Sequence, residues 1–339
     1  MTTDTKMLET IEGFNGLLFI GDPHVACAAP GRRIDDYRAS VMAKLREAAE
    51  LSKALNLVPV ILGDLIHRDR ENSISLASEL MDVLREFSRT PIDLEGNHGK
   101  ELTKVSDADM EGLLAKAGVL ELIRKPGLIQ AFTIMGQRVE LYGVPFGFDI
   151  PGSLDELGAD LSVSAYRILI THHDLAFEGA YPGAAVLKAI EGCNLTVNGH
   201  MHKTAPAVTT FQTTHWCPGN IEPLSVDVID HQPAVWEWNP MEGDSLYPHP
   251  LVHTRDVFDM TGLQVEAADA ASSVAALEME HSEFADELAA MATDDAHRTS
   301  DATVFFEDME AILAASDADP ALRALIKLAV DRMDTSATV

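Results

Sequence analysis

The sequence has few cysteines and no long apolar segment. Only three cysteines occur among 339 residues, Cys27, Cys193 and Cys217, and none belongs to a C-x-x-C pair. Their odd number and wide spacing argue against a disulfide framework. No apolar run approaches the roughly eighteen residues that cross a membrane, and the first residues lack the basic-then-apolar order of a secretion signal. We therefore expect a cytoplasmic protein that does not associate with membranes.

Basic residues are also scarce. The chain has 25 lysines and arginines against 54 acidic residues, a formal net charge of −29. This balance argues against a nucleic-acid coat protein or a binder of anionic membranes. The acidity is greatest after residue 240, where 21 acidic residues accompany 5 basic ones. Some of the remaining bases follow the loops described below, and among them Arg68 and Lys203 are candidates for binding an anionic substrate.

The order of apolar stretches predicts an α/β fold with two mixed β-sheets in a sandwich flanked by helices, because strands first alternate with helices and then follow one another. We predict strands at 16–21, 58–62, 91–94, 166–171 and 194–198, a hairpin of 128–134 and 138–144, and helices at 34–55, 74–87, 107–117 and 183–191. Ser106 is the expected N-cap of the third helix. Antiparallel strands are expected at 207–210, 213–217, 225–229 and 234–238.

Prolines, a glycine and acidic residues between positions 240 and 250 indicate a domain boundary. We predict a catalytic domain at 1–240 and a mostly helical, acidic C-terminal region at 241–339. Two amphipathic stretches, 303–315 and 321–333, predict a helix-loop-helix within that region. Its apolar stripes must be covered, either by each other, by the catalytic domain or by a partner.

Five predicted strands end at a tight turn followed by His, Asp or Asn. Because the carboxyl ends of parallel strands carry the sites of open α/β folds, we expect these side chains to meet. The candidates are Asp22 and His24 after the first strand, Asp64 after the second, Asn97 after the third, and His172, His200 and His202 after the later ones. His173 is an alternative to His172.

Seven mixed nitrogen and oxygen ligands exceed the needs of one tetrahedral zinc. They suit two divalent ions that share a carboxylate, and the mixture favours Mn²⁺, Fe or Zn over Mg²⁺ or Ca²⁺. We expect Mn²⁺. Two ions ~3.5–4 Å apart stabilise both the attacking and the leaving oxygen in phosphoryl transfer. His98 follows Asn97 directly and could donate a proton to the leaving oxygen.

These motifs together resemble the calcineurin-like metallophosphoesterases over roughly residues 16–230. The Mre11/SbcD nucleases among them are similar in four further segments: Gly63-Asp64-Leu65-Ile66-His67, Gly143-Val144-Pro145-Phe146, Gly199-His200-Met201-His202-Lys203 and Pro218-Gly219-Asn220-Ile221-Glu222.

The resemblance implies a ligand set for each ion and roles for two further histidines. One ion would be held by Asp22, His24, Asp64 and His202, and the other by Asp64, Asn97, His172 and His200. His98 would be the catalytic histidine, and His67 would help to position a DNA strand.

Two features depart from that family. An acidic residue usually follows the Asn-His pair, whereas Gly99 stands here, so another group must orient His98. The region after 240 does not match the family's capping domain, although 303–333 resembles the helix pair that grips the coiled coil of a Rad50/SbcC-like ATPase. DNA, such an ATPase and a second copy of the chain are the expected partners.

Two activities remain open. The first is a DNA exo- or endonuclease subunit, and the alternative is a phosphodiesterase or phosphatase acting on nucleotides or other small molecules. His67 and the tail favour the nuclease, while the scarcity of bases along a DNA path speaks against it. A Ser/Thr protein phosphatase is disfavoured because that branch has Asp where His67 stands.

Overall fold

The computed structural model describes residues 10–259, except residues 69, 101–103, 179, 181–182, 226–227 and 255. Contacts divide the chain into residues 1–264 and 265–339, and every described residue belongs to the first unit. The predicted helix-loop-helix at 303–333 lies outside the described residues. Within the described part, no helix has both the length and the apolar character needed to cross a bilayer.

The described residues form three α-helices, short 3₁₀ helices at Leu154–Leu157 and Pro240–Glu242, and thirteen strands. The helices are α1 (Tyr37–Leu55), α2 (Ile74–Arg85) and α3 (Met110–Lys116). The strands are β1 (Ile11–Glu12), β2 (Gly16–Ile20), β3 (Leu57–Ile61), β4 (Ile92–Leu94), β5 (Glu121–Ile123), β6 (Gly127–Ile134), β7 (Gln137–Val144), β8 (Tyr166–Thr171), β9 (Leu195–Asn198), β10 (Ala205–Thr210), β11 (Thr213–Cys217), β12 (Ala234–Trp238) and β13 (Tyr247–Pro250).

The strands form two mixed sheets. The seven-stranded sheet has the order β1-β6-β7-β8-β9-β11-β10, and the six-stranded sheet has the order β13-β12-β2-β3-β4-β5. Strands β2 to β5 run parallel, as do β7, β8, β9 and β11, while β12 and β13 are antiparallel to their neighbours. The predicted α/β architecture of two mixed sheets flanked by helices is confirmed.

The hydrophobic core has two main parts, which follow from the alternation of side chains along β2. Leu17 and Phe19 belong to a cluster that also contains Ile168 and Val197 of the seven-stranded sheet. Leu18 and Ile20 face the other way and pack with residues of α1, α2 and α3. Successive residues of a strand point to opposite faces, so one strand serves both layers.

The long helix α1 begins three residues later than the apolar spacing predicts. The side chain of Asp36 accepts a hydrogen bond of 3.1 Å from the backbone N–H of Ala39 and so caps the helix. Asn56 ends it in the left-handed conformation, with a φ of 55°. Between these caps, Val41, Leu45 and other residues at helical spacing are buried.

Helix α3 also begins later than predicted, since Asp109 rather than Ser106 precedes its first residue. The Ser106 side chain instead accepts a hydrogen bond of 3.1 Å from the backbone N–H of Ala108, in a turn before the helix.

The helix predicted at 183–191 is wrong. The backbone there is irregular because its N–H groups bond to distant segments: Ala185 donates to the Asp174 carbonyl at 2.9 Å and Glu191 to that of Gly152 at 2.9 Å. The strand predicted at 225–229 is also not formed by its described residues, because the Val228 N–H donates to the Ser225 carbonyl in a turn at 3.2 Å. Strand β13 lies beyond the boundary predicted at residue 240 and extends the six-stranded sheet.

Candidate metal centre

The structure brings all seven predicted ligands to one place, at the carboxyl ends of parallel strands from both sheets. Among the described residues, three groups of side chains have ligand atoms within 4.8 Å of one another, and one of them, His24, His67 and His98, contains no carboxylate. The other two consist of predicted ligands only. The first group is Asp22, His24 and His202, and the second is Asp64, His172 and His200. Asn97 joins the second group, because its Oδ1 lies 3.1 Å from His172 Nε2 and 2.9 Å from His200 Nδ1.

Asp64 lies between the two groups. Its Oδ2 is 3.2 Å from His172 Nε2 in the second group and 3.7 Å from His24 Nε2 in the first. Its Oδ1 accepts a hydrogen bond of 2.8 Å from the backbone N–H of His98. The carboxylate is therefore oriented by the loop after β4 and leaves Oδ2 for both groups, as a bridging ligand requires.

Close backbone approaches explain why glycines precede several of these residues. A Cβ on Gly63 would collide with the His172 imidazole, and one on Gly96 would collide with the Asp64 carboxylate. Four candidate ligands themselves adopt a positive φ that non-glycine residues rarely occupy: Asp22 (23°), His24 (48°), Asp64 (49°) and His200 (69°). Such strained backbone concentrates at functional sites, where the surrounding structure holds it.

Asp22 gives the clearest test of whether a cation fits. Its side chain is 1% exposed, and neither carboxylate oxygen has a hydrogen bond of acceptable geometry with a described residue. Burial raises the pKa of Asp22 to about 6, partly opposed by the nearby His172. An ionised carboxylate that accepts no hydrogen bond is costly to bury, and the imidazole nitrogen His172 Nδ1 lies 4.0 Å from it. A divalent ion held by Asp22, His24 and His202 would contact the carboxylate directly.

The two histidines of the first group point their Nε2 atoms at each other. His24 Nε2 lies 3.0 Å from His202 Nε2. Burial lowers the pKa of His24 well below its usual range and that of His202 to about 4, so both rings are neutral near pH 7. Two neutral imidazole nitrogens directed at one point, with Asp22 beside them, form a ligand set suited to Mn²⁺, Fe or Zn.

In the second group the carboxylates favour a protonated His172. Burial acts to lower the pKa of His172, but the Asp64 and Asp22 carboxylates outweigh it and raise that pKa to about 9. For Asp64, burial acts to raise the pKa, and the His172 imidazole outweighs it and lowers the pKa well below its usual range. The site thus has a strong preference for positive charge between these side chains.

A backbone carbonyl fixes the orientation of His172. Its Nδ1 donates to the Leu62 carbonyl at 2.8 Å, so Nε2 faces Asp64 and Asn97. The neighbouring His173 is directed elsewhere, since its Nε2 lies 2.7 Å from the Phe148 carbonyl. Of the two histidines that the sequence leaves open, only His172 lies in the ligand group.

His98 and His67 lie at the edge of the first group and are partly buried. Both contact His24, with ring centroids 5.0 Å and 5.3 Å away respectively, and they stack on each other at 5.5 Å. His67 Nδ1 is 3.4 Å from His24 Nδ1. Burial lowers the pKa of His67 to about 4. Arg68 and Lys203 follow His67 and His202 and are exposed on the same loops.

Three supporting residues were not found from the sequence. The Tyr37 hydroxyl donates to the His24 carbonyl at 2.7 Å, which ties α1 to the first ligand loop. Asn198 accepts from the Thr171 hydroxyl at 2.7 Å and joins the ends of β8 and β9. Asp174 lies 3.2 Å from His200 Nε2. Its position directly after His172-His173 is the one signal that could have identified it.

The segment Pro218–Glu222 joins the loops that carry Asp22 and His202. The Ile221 N–H donates to the Gly21 carbonyl at 3.1 Å, and the Asn220 N–H donates to the His202 carbonyl at 3.1 Å. At its end, the buried Glu222 carboxylate accepts hydrogen bonds of 2.6 Å from both Arg33 and Lys44. The motif noted in the sequence therefore supports the first ligand group from outside it.

No family model and no curated protein matches the chain. Among solved structures, an archaeal phosphodiesterase has a TM-score of 0.36 at 13% identity over 69% of this chain and 99% of its own. A 5'-nucleotidase precursor from Thermus thermophilus has a TM-score of 0.42 at 14% identity over 78% of this chain, which spans 59% of that structure. A hypothetical protein from the same organism has a TM-score of 0.41 at 14% identity over 69% of this chain and 98% of its own. Likeness at this level assigns neither activity nor substrate to the chain.

Proposed function

We propose that the chain is a metal-dependent phosphodiester hydrolase with two divalent ions, and that its substrate is DNA. The observation that carries the first part is the position of Asp64, whose Oδ2 reaches one histidine of each ligand group. One ion would be held by Asp22, His24, Asp64 and His202, and the other by Asp64, Asn97, His172 and His200. When bound, two such ions supply Lewis-acid chemistry, polarising a phosphoryl oxygen and making a water nucleophilic at neutral pH.

The remaining chemistry belongs to the chain's own residues. His98 donates from Nδ1 to the His67 carbonyl at 2.8 Å, so its Nε2 is the nitrogen that faces the substrate. In the imidazolium form Nε2 carries the second N–H, which is the proton given to the leaving oxygen. Water loses one proton to the solvent and its oxygen forms a bond to phosphorus, the bond to the leaving oxygen breaks, and that oxygen takes the Nε2 proton. A general acid of this kind contributes about 10²–10⁴-fold to the rate.

DNA as the substrate is supported by His67, whose ring contacts His24 of the first group and which the exposed Arg68 follows in the chain. A duplex end seated there would meet an imidazole stacked on His98 at 5.5 Å. A small phosphodiester is the alternative, and the formal charge of −29 favours it because a DNA path needs bases. An SbcC/Rad50-like ATPase bound through 303–333 would supply further bases, and a second copy of the chain would double the sites.

The test uses the full chain, freed of metal and reloaded with Mn²⁺. Three substrates are compared: linear duplex DNA, bis-p-nitrophenyl phosphate and p-nitrophenyl phosphate. We expect hydrolysis of the DNA and of the small diester and little hydrolysis of the monoester. Cleavage of the small diester without DNA would favour the alternative substrate class, and failure on all three would contradict the proposed hydrolase.

The tail is tested separately, by truncation after Met291. The shortened chain should keep metal binding and diester hydrolysis but lose co-purification with an SbcC-like ATPase and any ATP-dependent degradation of duplex DNA. Insolubility or lost diester activity would instead assign 303–333 to the catalytic unit.

A further inference from the structure

His200 is held between two oxygens, one on each side of its ring. Its Nδ1 lies 2.9 Å from Asn97 Oδ1, inside the second ligand group, and its Nε2 lies 3.2 Å from Asp174 Oδ1, outside that group. A neutral imidazole carries one N–H, so it can donate to only one of these oxygens. The other nitrogen then presents a lone pair.

The location of that single proton decides whether His200 can bind an ion. If it sits on Nδ1, the ring donates to Asn97 and has no lone pair for the ligand group. If it sits on Nε2, the ring donates to Asp174 and Nδ1 is free to act beside Asn97, Asp64 and His172. A carboxylate is the stronger acceptor of the two, because a charge-assisted hydrogen bond is roughly twice as strong as a neutral one.

We infer that Asp174 is a positioning residue that sets the tautomer of His200 and thereby completes the second of the two ion sites. The inference rests on the proposed dinuclear function. Ligating histidines generally donate their second ring N–H to an oxygen acceptor, and such acceptors fix both tautomer and ring orientation.

The backbone holds Asp174 in place although its side chain is 60% exposed. Its carbonyl accepts a hydrogen bond of 2.9 Å from the Ala185 N–H. The next residue, Leu175, and then Phe177 are buried with Ala205 and Cys217. The carboxylate therefore projects from a backbone segment that is held in place. This distinguishes the Asp174–His200 pair from an ordinary exposed ion pair between two mobile side chains.

The Phe146 ring restricts His200 further. It packs on the imidazole with ring centroids 5.7 Å apart. A 180° rotation about the Cβ–Cγ bond would put Cδ2 and Cε1 where Nδ1 and Nε2 now lie, and the ring would lose its contacts with both Asn97 and Asp174. The ring thus has one orientation in which both nitrogens have a suitable partner.

The two histidines of the second ion site differ in how they are oriented. His172 donates to the Leu62 carbonyl at 2.8 Å, a buried backbone group that a side-chain substitution does not remove. His200 depends on a side chain that can be changed without disturbing the core. Substitution at Asp174 should therefore weaken one ion site and leave the first group, Asp22, His24 and His202, as it is.

The experiment compares Asp174→Ala and Asp174→Asn with the natural chain and with Glu178→Gln, which removes an exposed negative charge from the same loop. Mn²⁺ binding to the metal-free full chain is measured by calorimetry. We expect two sites in the natural chain and in Glu178→Gln. In Asp174→Ala one site should weaken by about 10–100-fold, and Asp174→Asn, which keeps a neutral acceptor, should weaken it less.

A second readout reports the proton itself. Long-range ¹H–¹⁵N correlation of the metal-free protein should place the His200 proton on Nε2 in the natural chain and on Nδ1, or on both nitrogens in exchange, in Asp174→Ala. Two unchanged Mn²⁺ sites together with an unchanged His200 tautomer would overturn the role of Asp174. Equal weakening of both sites would overturn its assignment to His200. Fewer than two Mn²⁺ sites in the natural chain would instead overturn the proposed dinuclear function itself.

Discussion

The Nδ1 atom of His98 lies 2.8 Å from the backbone carbonyl oxygen of His67, which is the acceptor that orients this ring. Gly99 stands where an acidic residue is expected after the Asn-His pair. The His67 carbonyl therefore holds the His98 ring in place of that acid. Because the acceptor is backbone, a substitution of the His67 side chain leaves it in place. The roles of the two histidines can therefore be separated by mutation.

His98→Ala should reduce diester hydrolysis by about 10²–10⁴-fold, the usual contribution of a general acid. Both Mn²⁺ ions should remain, because His98 belongs to neither of the two proposed ligand sets and the N–H that contacts Asp64 is backbone. Metal analysis and initial rates measured on the same preparation check this. Loss of an ion in this variant would make His98 a ligand rather than a proton donor.

His67→Ser tests the substrate class. A side chain that seats a duplex end should matter for DNA and little for bis-p-nitrophenyl phosphate, so the exonuclease rate should fall far more than the rate on the small diester. Because His67 Nδ1 lies 3.4 Å from His24 Nδ1, Mn²⁺ content must be measured alongside. Equal losses on both substrates with full metal content would favour a small-molecule enzyme.

Metal binding should release a proton near pH 7.5. In the metal-free protein the pKa of His172 is raised to about 9, mainly by the Asp64 and Asp22 carboxylates acting against burial, so its ring is protonated there. A ligating imidazole must lose that proton, and affinity should rise with pH up to about 9. Below about pH 6, protonation of Asp22 should weaken binding further. Calorimetry in buffers of different ionisation enthalpy gives the proton count, and a count of zero at pH 7.5 would contradict this account.

The same raised pKa affects the stability of the metal-free chain. A His172 that binds a proton more tightly when folded contributes stability that is fully present below its unfolded pKa of 6.5 and is lost as the pH rises to about 9. The thermal midpoint of the metal-free protein should lose this contribution over that window, and Mn²⁺ should restore stability there. His172→Asn should remove that pH-dependent contribution. If the pH-dependent contribution to stability persists unchanged in His172→Asn, a titratable group other than His172 causes it.

Glu222→Gln should destabilise the fold by about 3–5 kcal/mol, the usual cost of leaving a buried charge without its partner. The Glu222 carboxylate is fully buried and contacts both Arg33 and Lys44 at 2.6 Å. The matched control is Asp82→Asn, which breaks the exposed pair with Arg85 at 3.2 Å and should leave the unfolding curve unchanged. Equal small effects in the two variants would mean that the Glu222 network contributes no more than a surface pair.

The ligand residues could be predicted from sequence because each follows an apolar strand and a tight turn. The carboxyl ends of parallel strands lie at the same edge of a sheet, so residues that follow such strands meet there irrespective of the sequence elsewhere. The glycines before Asp64 and Asn97 are part of the same signal, since side chains there would collide with the site.

The errors have a different physical origin. Residues 183–191 have helical spacing, but the Ile190 N–H donates to the Thr213 hydroxyl at 2.9 Å, a partner far along the chain. Local periodicity does not report such long-range hydrogen bonds. For the same reason the sequence did not reveal Asp174, because its partner His200 is brought beside it by β9. It also did not reveal β5, a three-residue strand that is only partly buried.

The central claim is that Asp64 bridges two ions, and metal stoichiometry of the full chain tests it most directly. Mn²⁺ content after equilibrium dialysis is compared for the natural chain, for Asp64→Asn and for the exposed control Asp82→Asn. We predict two ions per chain in the natural protein and in Asp82→Asn. In Asp64→Asn we predict fewer than one ion and essentially no diester hydrolysis, because a neutral bridge cannot hold two dications together. Two retained ions with near-normal hydrolysis in Asp64→Asn would contradict the account.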